Sequence, residues 1–97
     1  YFRNWMGKNM TVRKDLNKIA KKFLVGKTIQ NARYLSKEEM NDCFGEEDYG
    51  GMRIPLVIEF TDGSWIFPMS DDEGNDGGAL ATSSEEVPTI PVIRRSV

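Results

Sequence analysis

The chain has 97 residues, 39% of them hydrophobic, and a net charge of −2. That size suits a single domain over 1–97 with one modest core, and no apolar run nears the ~20 residues of a membrane helix. Histidine is absent, which removes Ser–His and Cys–His nucleophile pairs, most zinc chemistry and the usual general base near neutral pH, so the composition weighs against an enzyme.

Residues 1–10 read as an arm, with Phe2 and Trp5 packed in part on the body, weighed against packing on a neighbour. Thr11 is the expected N-cap of a helix over 12–25. Val12, Leu16, Ile19, Ala20, Phe23 and Leu24 fall on one stripe at about 100° per residue, with Lys14, Lys18, Lys21 and Lys22 opposite. Gly26 is a natural stop, because glycine takes the left-handed conformation without a Cβ penalty. Lys27–Leu35 reads as a strand. Ser36-Lys37-Glu38-Glu39 is a capping box, predicting a short helix to Cys43 or Phe44 with Met40, Cys43 and Phe44 turned inward. Gly45–Met52 is an acidic, glycine-rich loop.

Ile54–Met69 carries the strongest hairpin signal, Asp62-Gly63 between apolar runs. A two-residue loop sets Phe60 opposite Trp65, Ile58 opposite Phe67 and Leu56 opposite Met69, on one apolar face. The stripe of the first helix is the expected cover for that face. The stretch SDDEGNDGG, residues 70–78, reads as too polar and glycine-rich to pack. Ala79–Thr82 and Thr89–Arg94 complete the set as short strands, with Pro91 at an edge or bulge. The expected fold is therefore mainly β with an N-terminal α-helix: a small, strongly bent, five-stranded antiparallel sheet or barrel, with a short helix inserted between its first two strands.

That layout resembles the Sm-like fold. The resemblance is carried by the helix ending at Leu24-Val25-Gly26-Lys27 before a strand, and by Val92-Ile93-Arg94, similar to the apolar-apolar-Arg part of the second Sm motif. Arg95 stands where a glycine usually follows, and residues 36–52 interrupt the junction of the first two strands. The resemblance implies a ring-forming homo-oligomer and RNA binding. The strings GKTI, ARYLS, PLVIEFTDG and FPMSDDEGNDGGAL also resemble small bacterial and phage proteins of no assigned role, which implies no activity.

Charge divides the chain. Residues 1–37 hold ten basic and one acidic side chain, or +9, and residues 38–97 hold three and fourteen, or −11. Lys14, Lys18, Lys21 and Lys22, with Arg94 and Arg95, form a candidate nucleic-acid surface, weighed against solvated charges and exposed strand ends. Asp71, Asp72, Glu73 and Asp76 are candidate oxygen ligands for Mg²⁺ or Ca²⁺, weighed against a solvated loop, since their spacing does not fit an EF-hand. Glu59 has no second acid identifiable near it. Cys43, the one cysteine, reads as a small buried apolar residue rather than a nucleophile. It leaves no internal disulfide, so a reducing cytoplasm is the expected compartment.

These readings favour a non-enzymatic binding or assembly domain. The alternatives are a metal-dependent enzyme or regulator using the loop at 71–76, and a structural subunit of a larger, viral assembly.

Overall fold

The computed structural model describes residues 10–45 and 51–95. The arm at 1–9 and most of the loop ahead of the hairpin, 46–50, lie outside the described residues. Among the described residues, two helices and seven short strands follow in the order α1 (Met10–Leu24), β1 (Ile29–Tyr34), α2 (Lys37–Phe44), β2 (Arg53–Ile54), β3 (Leu56–Phe60), β4 (Trp65–Ile66), β5 (Leu80–Ala81), β6 (Thr89–Ile90) and β7 (Ile93–Arg94). All strand pairs are antiparallel. Among the described residues they form three small sheets, β1-β3-β4, β2-β7 and β5-β6, none closed into a barrel. The single bent sheet expected from the sequence is thus split. Thr89–Arg94 is broken after Ile90, and its two halves pair with different partners, β5 and β2. Pro91 lies at the break, where its missing amide costs no ladder bond and its carbonyl accepts the Tyr34 hydroxyl at 2.8 Å.

Local signals hold where neighbours a few residues apart satisfy one another. Ser36 Oγ accepts from the Glu39 amide and Glu39 Oε1 accepts from the Ser36 amide, closing the capping box of α2. Gly26 ends the α1 region at φ 86°, with the Lys27 amide donating to the Leu24 carbonyl. The start of α1 differs from expectation: the helix begins at Met10, so Thr11 lies inside it rather than capping it.

The hairpin is offset by one residue. Ile58 faces Ile66 and Glu59 faces Trp65, so Phe60 pairs with Ser64 across a three-residue loop. Gly63 sits at φ 91°, and its amide donates to the Phe60 carbonyl at 3.1 Å. Asp62 Oδ1 accepts from the Ser64 amide at 2.9 Å, a side-chain turn that competes with the two-residue form. Because side chains alternate, the offset moves Trp65 to the face of Glu59 and Val57 and away from Phe60.

The packing uses that face. Helix α2, two residues after β1, lies against the Val57 face. Met40 is fully buried there with Leu35 and Val57, and Phe44, Ile54 and Phe67 pack around them. The stripe of α1 is not the cover: Ile19 is 62% exposed and Phe23 43%, while Trp65 is 55% exposed. Phe60, on the opposite face, is buried, and Lys27 Nζ lies 4.4 Å from the Phe23 ring centroid and 5.6 Å from that of Phe60. Lys27 Nζ also donates to Asp62 and Ser64, tying the end of α1 to the hairpin turn.

The loop after β4 departs from the expectation that it would not pack. Asp76 Oδ1 accepts from the Arg53 and Gly77 amides, both at 2.8 Å. Gly77 is buried against the Arg53 carbonyl and Pro55, and the Gly78 amide donates to the Pro68 carbonyl. Asp71 binds the backbone amides of Glu73 and Asn75 and the Asn75 side chain. Asp76 and Gly77 therefore hold this segment on β2, while Asp71 shapes its turn.

Candidate functional site

The register of β1 on β3 places Arg33 beside Val57 and Asn31 beside Glu59. The capping box holds Glu39 in the first turn of α2, directly above. Arg33 bridges the two acids. Its Nη1 and Nη2 donate to Glu39 at 2.8 and 2.9 Å, and Nη2 also donates to Glu59 at 3.1 Å. Asn31 Nδ2 donates to the other oxygen of Glu59 at 3.2 Å. The two-pronged contact with Arg33, helped by the Ser36 amide, holds the Glu39 carboxyl down at about 2. The same two carboxylates raise Arg33 beyond its already high value.

Beside this bridge, between α2 and the sheet, lies a cavity of about 180 Å³. Leu35, Val57 and Phe67 form its apolar floor, and Trp65 forms a wall. Trp65 stacks on Phe67 with centroids 5.5 Å apart and planes within 6°, and Phe44 meets Phe67 edge-on at 5.7 Å. Glu39, Asp42 and Glu59 stand at the rim with Arg33 and Cys43. Cys43 is exposed, contrary to the buried position expected for it. Partial burial pushes its thiol up, aided by Asp42 and Glu39, so it is a poor nucleophile at neutral pH.

The basic and acidic sets read from the sequence fare differently. Lys14, Lys18, Lys21 and Lys22 are all exposed on α1, and Arg94 is exposed opposite Arg53. Arg95 is not an exposed strand end. It is buried, and its guanidinium donates to the carbonyls of Gly45 and Gly51 at 3.0 and 2.9 Å and to the Asn41 side chain. Its work is to join the end of α2 to the chain around Gly51. Asp71 and Asp76 spend oxygens on backbone amides, Asp72 and Glu73 are exposed, and no three metal-ligating side chains converge among the described residues.

Sequence reasoning missed the Glu39–Arg33–Glu59 bridge and the cavity. Glu39 was visible only as a cap. Its second role depends on the β1–β3 register, which no local pattern encodes.

Acid should loosen this structure. Burial alone would raise the Asp76 carboxyl, but the amides of Arg53, Gly77 and Met52 outweigh it and hold it low. Asp71 is held low chiefly by the Asn75 side chain, and Glu39 by Arg33. Each lowered carboxyl contributes stability that is complete above the unfolded value of about 4 and is lost as pH falls through the folded one. Thermal melts should therefore show Tm falling from about pH 5 downward, continuing toward the Glu39 value of about 2. Glu39→Gln and Asp76→Asn should each flatten that slope, and a wild-type Tm unchanged between pH 5 and 3 would contradict it.

Comparison of the chain with known protein families, curated proteins and solved structures gives no match. Among the described residues no helix is long and apolar enough to cross a membrane.

Proposed function

We propose that this chain is a non-catalytic binding and assembly domain that associates with further copies of itself through α1. The uncovered part of the apolar stripe carries this reading: Ile19, Phe23 and Leu24 are 62, 43 and 40% exposed on an amphipathic helix, and Val25, just past its end, is 73% exposed. Charge complementarity selects a second copy as the occupant. The same helix carries Lys14, Lys18, Lys21 and Lys22 on the face opposite the stripe, all exposed, and the same chain carries exposed acids at Asp71, Asp72, Glu73, Glu85 and Glu86. Against catalysis, Glu39 and Glu59, two of the three carboxylates at the site, are both held by Arg33 rather than left free for proton transfer.

Size-exclusion chromatography with light scattering tests the reading. A dimer or larger species is expected at low salt, weakened by salt and dispersed by Ile19→Asp with Phe23→Asp. A monomer throughout the micromolar range would overturn it.

The exposed lysine row favours a second reading, in which α1 tracks the phosphates of a nucleic acid. Adding a short single-stranded RNA to the same columns tests it. Co-elution at low salt that disappears at high salt supports the reading, and separate elution at low salt removes it.

A further inference from the structure

We infer that the cavity between α2 and the sheet receives the side chain of a lysine presented by a partner protein. This surface is distinct from the α1 stripe, so the two readings fail separately.

Size comes first. The cavity is small, about 180 Å³. It is too small for a typical drug-sized ligand or cofactor, which needs roughly 300 Å³ or more. Four methylenes and an ammonium fit. The interior suits such a chain, because Leu35 and Val57 are buried and apolar and the Trp65–Phe67 stack lines one side.

The rim selects the charge. Glu39, Asp42 and Glu59 give three negative charges against one positive charge on Arg33. Arg33 is already engaged by two of those carboxylates, and Asp42 carries no ion pair among the described residues. A cation entering there meets a net negative mouth and an exposed indole. An ammonium is drawn to both, whereas an anion or a neutral alcohol gains nothing from either. A lysine places its apolar stem along the floor and its charge at the mouth, as long amphipathic side chains do at other surfaces.

The test is an NMR titration of the intact chain at constant ionic strength, following the Trp65 indole and the Leu35 and Val57 methyl signals. Trp5→Phe leaves Trp65 as the one indole. The probes are Nα-acetyl-lysine-N-methylamide, n-butylammonium, butyrate and n-pentanol. Saturable shifts are expected with the lysine amide, in the millimolar range appropriate to so few atoms. Asp42→Asn and Trp65→Ala should each weaken them roughly threefold or more. Both positions are exposed and outside the buried core, and the methyl spectrum reports whether each variant remains folded. Equal shifts with butyrate or n-pentanol would overturn the cation assignment. Shifts with n-butylammonium but none with the lysine amide would overturn the protein-borne lysine. Shifts unchanged in both variants would move the site elsewhere and overturn the inference.

Discussion

Met40→Ala should lower the free energy of unfolding by about 2–5 kcal/mol, the range for truncating a buried long side chain. Met40 is wholly buried and packs with Leu35 and Val57, so its removal opens a cavity where α2 meets the sheet. Helix α2 is eight residues long, too short to persist alone in water, and its capping box cannot replace the lost contact. For a domain of this size total stability is about 5–15 kcal/mol, so one substitution removes a large share. Urea unfolding followed by far-UV circular dichroism measures it. The midpoint should fall with little change in slope, and a loss below about 1 kcal/mol would mean that α2 is held by something other than its Met40 face.

Gly77→Ala is the second large effect, and its cause is space rather than backbone conformation. A Cβ at Gly77 would lie 2.2 Å from the Arg53 carbonyl oxygen and 2.7 Å from Pro55 Cδ. Neither neighbour can swing aside: one is main chain in β2, the other a fully buried ring. The segment must back away, which breaks the Asp76 contact to the Arg53 amide. The expected cost is about 1–3 kcal/mol or more, as for overpacked interiors. Gly26→Ala is the comparison, since Gly26 has φ 86° but open space around it and should lose only about 1 kcal/mol. Thermal melts of the two variants separate the causes. Equal losses would show that the loop at 70–78 does not close tightly on β2.

The two variants probe two kinds of information in the chain. Met40 was legible as an inward position because the capping box fixes where α2 starts and the side chain is apolar, but the same reasoning turned Cys43 inward, and Cys43 is exposed. The need for glycine at Gly77 was not identifiable. The run of acids and glycines around it looks like a solvated connection, and only the approach of β2 shows that Gly77 is required for contact and Asp76 for its carboxylate.

The sequence by itself determined the features that depend on neighbours a few residues apart: the α2 cap, the stop at Gly26, the turn around Gly63, the amphipathic stripe of α1 and the absence of histidine. Tertiary structure alone decided the hairpin register, the burial of Arg95 and the meeting of Arg33 with Glu39 and Glu59. The physical reason is that Asp-Gly suits more than one loop length, while a shift of one residue exchanges the faces of a strand. The choice therefore rests on which face α2 can seal, and that is settled by contacts between residues far apart in the chain.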